Sequence, residues 1–280
     1  MTVATSIDQA PDVVEARLTF TDKAGGKPVS ESRVLNGPVY QISGRYEDRT
    51  VEIHNAWRIR SKLRLEQEGF MLASHPTRMK NFLDENELKS VYYPEIEQLV
   101  RRESGASRVV IFDHTIRSGD GSRQESLKLR EPVKVTHNDY TERSGPQRVR
   151  DMLPDQAEEL LKSRVAIIQV WQPIGRPVAQ DPLAICDAQS IAPDDLVTAE
   201  RRHPNRVGEI YHLAYNAAQS WYYFPLLGPE NALVFKCYDS MADGRSRFTA
   251  HTSFDDPASS PDAPPRESIE MRTLAFFGPN

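Results

Sequence analysis

The chain has 280 residues and a mass of 31.7 kDa, with 39% apolar and 27% charged residues and a mean hydropathy of -0.57. It has no run near the roughly 18 apolar residues of a membrane span, and its opening, MTVATSIDQAPDVVEARL, has no basic flank or apolar segment of a secretory signal. Against 40 acidic residues stand 35 basic ones, a net charge of -5, without the basic surplus of a nucleic-acid-binding face. Two cysteines, Cys186 and Cys237, are too few for a disulfide framework or a thiolate zinc cage. A cytoplasmic protein is expected, with neither nucleic acid nor membrane as partner.

Residues 1–30 are polar, carry Gly25-Gly26 and show weak periodicity, so they are expected to form a loose segment ahead of a single domain over 31–280. Strands are read at Val39–Ile42 and Thr50–Ile53, then helices at Arg78–Leu88 and Pro94–Arg102. In the second helix Ile96, Leu99 and Val100 recur at helical spacing behind a proline suited to a first turn. Val109–Thr115 reads as a buried strand. Asp155 and Glu158 resemble a capping box that opens a short helix with Ala157, Leu160 and Leu161. Further strands are read at 165–171, 207–215, 220–225, 231–238, 247–254 and 268–277, punctuated by prolines, with Asp243-Gly244 as a hairpin turn between two of them. Helices first and short strands after predict a mainly β protein with flanking helices, built as a double-sheet jelly roll or barrel.

Chemistry is first suggested by His137-Asn138-Asp139. Val133 and Val135 alternate ahead of it as in a strand, where residues i and i+2 share a face, so the imidazole and carboxylate project together. Alone the motif is uninformative: one His-x-acid match is what chance expects from 7 His and 40 acidic residues in 280. His251, in the strand-like Arg247–Phe254, adds a second imidazole. Two histidines and a carboxylate on one face of Fe(II) form a facial triad whose open positions suit a bidentate 2-oxo acid and O2. Arg266-Glu267-Ser268, opening the last strand, offers a fork-shaped cation and a same-face hydroxyl for the far carboxylate of a 2-oxo diacid. The identical Arg102-Glu103-Ser104 ends a helix ahead of His137 and fails on order. Each residue also has an ordinary reading: a hydrogen-bonded core histidine, an aspartate capping the turn toward Thr141, an arginine at a strand start. His114 and His212 read as core or rim histidines, His203-Pro204-Asn205 as a turn, and both cysteines as small buried hydrophobes. The order of the whole set is what favours a metal.

From HNDYTERSGPQRVRDMLP onward the chain resembles the CmcJ/NvfI family of iron- and 2-oxoglutarate-dependent oxygenases, which includes cephem-methoxylase-like and gibberellin-desaturase-like proteins. IIQVWQPIGRPVAQDPLAICDAQSI, GEIYHLAYNAAQSWYYFP, LVFKCYDSMADGRSRFTAHTSFDDP and APPRESIEMRTLAF carry the likeness, as do GFMLASHPTRMKNFLDENELKSVYYPEIEQLV and VVIFDHTIR upstream. The resemblance implies a double-stranded β-helix, a catalytic iron held by His137, Asp139 and His251, and 2-oxoglutarate bound through Arg266 and Ser268. It implies attack on an unactivated C–H of a secondary metabolite, antibiotic or modified amino acid, giving hydroxylation, desaturation or cyclisation such as cyclopropane formation. Gln169 departs from the Asn that usually precedes Val-Trp in the family. Gln169, Trp171 and Tyr223 are candidate pocket residues, and Arg117, Arg148 and Arg150 candidate cations for an anionic substrate. A small-molecule substrate and O2 are the expected partners, with a homodimer left open. Two other readings stay open: zinc on the same ligands for hydrolysis, and a jelly-roll binding protein without catalysis.

Overall fold

A computed structural model describes residues 6–32, 39–204 and 206–278. Among these the chain forms strands β1 (Val13–Asp22), β2 (Val29–Ser32), β3 (Val39–Ser43), β4 (Arg45–Asn55), β5 (Phe70–Ser74), β6 (Arg108–Ser118), β7 (His137–Asn138) and β8 (Arg164–Pro173). They continue with β9 (Leu183–Cys186), β10 (Leu196–His203), β11 (Arg206–Leu213), β12 (Trp221–Tyr223), β13 (Asn231–Asp239), β14 (His251–Ser253) and β15 (Glu267–Phe277). One sheet has ten strands in the order β1-β4-β12-β9-β14-β7-β11-β10-β2-β3, and the other has five in the order β5-β13-β8-β15-β6. The sheets pack on each other through a core that includes Ile185 and Leu183 from the first and Phe70, Trp171, Leu233 and Phe235 from the second. This is the mainly β double-stranded β-helix expected, with helices on its flank.

β8 shows why the five-stranded sheet forms where it does. Val165, Ile167 and Trp171 point into the space between the sheets, while Ala166, Ile168 and Val170 pack under the helix Tyr93–Ser104 through Ile96, Leu99 and Val100. Covering both faces gives the strand the apolar run Val165–Ile168 and the pair Val170-Trp171 rather than an alternation. Each large aliphatic side chain so buried contributes about 1.5–3 kcal/mol. Gly105, at φ 74°, closes the helix in the left-handed region.

Several expectations are corrected. The N-terminal stretch is not loose over its length: β1 pairs with β4 from Val13 to Asp22 and buries Val14, Ala16, Leu18 and Phe20 in strict alternation beside Trp221. Arg78–Leu88 is not a helix. Glu95 accepts from Thr77 Oγ1 and Arg78 Nε, and Glu87 from the backbone N–H of Lys80 and Asn81, so acidic side chains satisfy this segment in place of helical carbonyls. The helix starts only at Glu85, capped by Asp84, and widens into a π-type turn at Leu88–Tyr92. Asp155 caps nothing: the short helix is Ala157–Leu160, with Gln156 at its N-cap and no side-chain bond. Asp243-Gly244 does not make a hairpin, because β13 and β14 lie in different sheets and the turn crosses between them. His203 ends β10 as the turn reading requires, whereas Asn205 lies outside the described residues. Among the described residues no helix is long and apolar enough to cross a membrane.

Candidate metal centre

One rung across the ten-stranded sheet carries the candidate ligands. His251 of β14 lies opposite His137 of β7, which lies opposite His212 of β11, and Ile185 of β9 faces His251 from the other side. Directly opposed residues point to the same face with Cβ atoms about 4.5–5.5 Å apart. Pairing therefore brings the imidazoles of His137 and His251 to a centroid distance of 4.5 Å. Asp139, two residues past His137, joins them with Oδ1 3.6 Å from His137 Nε2. Ligand atoms of the three residues lie within 4.8 Å of one another, and no other such His/Cys/Asp/Glu group occurs among the described residues. Asn138, between two of them, holds the surroundings in place: its Nδ2 donates to Tyr140 O and Cys237 O, and its Oδ1 accepts from Thr249 N at 3.1 Å.

Hydrogen bonds behind each ligand decide which atom it offers. His137 Nδ1 lies 2.7 Å from Val135 O and His251 Nδ1 lies 3.1 Å from Thr249 O. Each Nδ1 thus donates its proton to a carbonyl, and each Nε2 keeps its lone pair for the centre. Burial, reinforced by the neighbouring His251, pushes His137 down to about 3, and burial lowers His251 as well, so both rings are neutral at physiological pH. For Asp139 burial would favour the protonated form, but Arg272 and then the two imidazoles hold the carboxyl well below its usual range. Gln169 Nε2 and Arg272 Nε both donate to Oδ2, the latter at 3.2 Å, which leaves Oδ1 facing His137.

The five-stranded sheet supplies the opposite wall. Its register sets Arg272 against Gln169, Glu270 against Trp171 and Ser268 against Arg117, so all six share one face. Arg117 Nε donates to Glu270 Oε1 at 2.6 Å and Arg272 Nη2 to Glu270 Oε2 at 2.9 Å, a ladder of charges that ends on Asp139. Burial opposes ionisation of Glu270, yet Arg117 and Arg272 bring it down to about 2. Arg266, just ahead of β15, is 2% exposed. Its Nη1 donates to Asp181 O at 2.5 Å and Ser253 Oγ at 3.3 Å, and its guanidinium lies 5.4 Å from the Trp171 ring centroid. Burial pushes it down to about 10, still charged at neutral pH. Arg266 Nε, Ser268 Oγ, Gln169 Oε1 and Trp171 Nε1 are all buried without a hydrogen-bond partner. A buried polar group left so costs about 1–3 kcal/mol, and the three donors among them, Arg266 Nε, Ser268 Oγ and Trp171 Nε1, fit a ligand with carboxylate oxygens.

Sequence-based expectations divide accordingly. His137, Asp139 and His251 meet, and Arg266, Ser268, Gln169 and Trp171 occupy the facing wall. Tyr223 does not belong there. Tyr222 pairs with Ile185 on the metal face, so Tyr223 turns to the other side, edge-on to Phe254 and beside a cavity of about 140 Å³ near Val178 and Asp256. Of the candidate cations, Arg117 is paired with Glu270, Arg148 lies over Phe112 and Tyr140, and exposed Arg150 pairs with Glu158. His114 bonds Tyr93 OH at 2.8 Å and His212 bonds Tyr46 OH at 3.1 Å, both as ordinary structural histidines. Both cysteines are free and buried. Glu270 and Arg272 were missed, although alternation from Ser268 already puts them on its face.

Two facing sheets, a His-x-Asp and a distant His on one, and a buried arginine on the other define a jelly roll of the facial-triad class. The family model described as an oxidoreductase/YMDC permease-like domain matches residues 17–276. The Fe(II)/2-oxoglutarate-dependent dioxygenase nvfI of Aspergillus novofumigatus is 30% identical over 94% of this chain and 97% of the relative. The hydroxylase/desaturase efuI of Hormonema carpetanum is 28% identical over 98% of each chain. Among solved structures, the iron and alpha-ketoglutarate-dependent endoperoxidase NvfI gives a TM-score of 0.84 at 27% identity, covering 96% of this chain and 100% of that one. The chain belongs to the CmcJ/NvfI-like family of Fe(II)/2-oxoglutarate-dependent oxygenases.

Proposed function

We propose that the protein is a non-haem Fe(II)/2-oxoglutarate-dependent dioxygenase acting on an unactivated C–H of a secondary-metabolite or modified amino-acid substrate, with His137, Asp139 and His251 as the iron ligands. The observation that carries this reading is two neutral imidazoles and one carboxylate oxygen turned to a common point, across from a buried arginine with an unused donor. When bound, iron and 2-oxoglutarate supply the activation of O2 and the abstraction of hydrogen. Everything else falls to the chain. The carbonyls of Val135 and Thr249 hold the Nδ1 protons, and Gln169 with Arg272 holds Asp139 Oδ2, so the ligand atoms are gathered on one side. Arg266 Nε and Ser268 Oγ are the donors for the distal carboxylate of 2-oxoglutarate, with Trp171 against the guanidinium to keep it from turning. The apolar rim of Phe235, whose ring is 4.8 Å from that of His251, helps exclude water.

Zinc on the same ligands would give Arg266 and Ser268 nothing to do, and the dioxygenase relatives support iron. Free, buried Cys186 and Cys237 suit a reducing compartment and support a cytoplasmic site of action. Anaerobic titration with Fe(II) and 2-oxoglutarate tests the reading: a metal-to-ligand charge-transfer band should grow to one equivalent of iron. A wild-type protein that gives no band overturns it.

A further inference from the structure

Resting on that reading, we propose that the substrate bears a carboxylate and that Arg201 is the cation that receives it. Val197 of β10 lies opposite His212, a member of the metal rung. Taken in twos along the strand, Ala199 and Arg201 face the same interior. Arg201 Nε is buried without a hydrogen-bond partner. Among the described residues no carboxylate forms an ion pair with Arg201, yet its charge acts on Asp139 and His212 and stands beside those of Arg117, Arg130 and Arg272. Strand alternation therefore turns the side chain to the metal side of the sheet.

The neighbouring cations are committed elsewhere. Arg117 and Arg272 share Glu270, and Arg272 also holds Asp139 and Asp113. Arg130 has interactions of its own. Arg266, on the other wall, answers the cosubstrate. Among the described residues Arg201 thus remains a guanidinium without a counter-ion on this face of the ten-stranded sheet after both carboxylates of 2-oxoglutarate have been assigned to the metal and to Arg266; Arg148, whose Nε is also unpartnered, lies instead over Phe112 and Tyr140. Burial, with Arg130, Arg117 and Arg272 adding to it and Asp139 opposing, lowers Arg201 to about 10, which leaves it protonated. Guanidinium offers five donors and no acceptor, so its ligand must present oxygen atoms. A planar carboxylate matches the fork in two parallel bonds and cancels the charge, which an amide or ester does not.

The test compares acids with their primary amides, using 3-phenylpropionate, octanoate and N-acetylphenylalanine as probes. Their binding to the Fe(II)- and 2-oxoglutarate-loaded protein is measured anaerobically by calorimetry and by perturbation of the charge-transfer band. Acids should bind at least tenfold tighter than amides to the wild type, lose that preference in Arg201→Gln and keep part of it in Arg201→Lys. Equal binding of acids and amides, or a preference that survives in Arg201→Gln, overturns the proposal. So does a raised 2-oxoglutarate requirement for the band in Arg201→Gln, which would assign the residue to the cosubstrate. The functional reading fails separately, through absence of the band in wild type; the acid preference is then decided by calorimetry on the metal-free chain.

Discussion

The two walls of the cavity are built in opposite ways. On the ligand wall β7 has 2 residues and β14 has 3, and the imidazoles are set by backbone pairing and backbone carbonyls. On the facing wall β8 has 10 residues and β15 has 11, and the polar side chains are fixed mostly by one another, through the chain from Arg117 to Glu270 to Arg272 to Asp139. The ligand wall borrows its order from long neighbours such as β11 and from Asn138, so it tolerates loss of a side chain but not of register. On the facing wall the reverse holds: each charged member leaves another exposed to burial when removed.

Substitutions on each wall break this contrast in predictable ways, the greatest loss first. His251→Ala should abolish the charge-transfer band and substrate-dependent succinate formation while the circular dichroism spectrum stays that of wild type; succinate release at the wild-type rate would remove His251 from the ligand set. Arg272→Met leaves Asp139 and Glu270 without their shared cation. Breaking a buried pair typically costs about 3–5 kcal/mol, so denaturant melts should show a clear drop in midpoint as well as weakened iron binding.

Smaller effects sharpen the same distinction. Arg266→Ala should raise the half-saturating 2-oxoglutarate concentration, since a charged hydrogen bond is worth about 1.5–3 kcal/mol and about 1.4 kcal/mol is tenfold; an unchanged titration would point to another cation. Gln169→Asn shortens the donor to Asp139 Oδ2, and a partner behind a ligand is worth roughly 10–100-fold in metal affinity, so Fe(II) competition assays should show weakening of that order with the fold intact. Glu270 gives a pH signature. Its folded value of about 2 lies below the ordinary 4.5, so its stabilisation is complete above 4.5 and is lost as pH falls from there through about 2. Melting of Glu270→Gln should be less steeply dependent on pH across that window.

Legibility followed strand length. β8, β13, β15 and the helix Tyr93–Ser104 are long enough for composition and periodicity to show, and the structure has them within a few residues. β7 and β14 are too short to carry a period, and only the order His-x-Asp, His, Arg-x-Ser pointed to them. Tyr223 illustrates the remaining loss: the stretch 220–225 reads as a strand, but which of Tyr222 and Tyr223 turns inward depends on pairing with Ile185, which lies on a strand that local pattern did not suggest. Arg78–Leu88 failed because carboxylates, Glu95 from the following helix and Glu87 from the segment's own end, take its backbone N–H groups in place of helical carbonyls. The alternation of β1 was present in Val14, Ala16, Leu18 and Phe20 and was overlooked for the polar residues around it.

The passage from β13 to β14 has a further consequence. It leaves one sheet at Asp239 and enters the other at His251, with Met241–Gly244 exposed and Thr249 anchored to Asn138 and Gly69. This tether works as a mooring: Thr249 is tied down two residues before His251, whose pairing with His137 and Ile185 sets where the second imidazole stands. Its exposed tip can therefore change in identity or length, whereas loss of the Thr249 anchors would free His251 to slip along its strand and turn a ligand to the wrong side of the sheet.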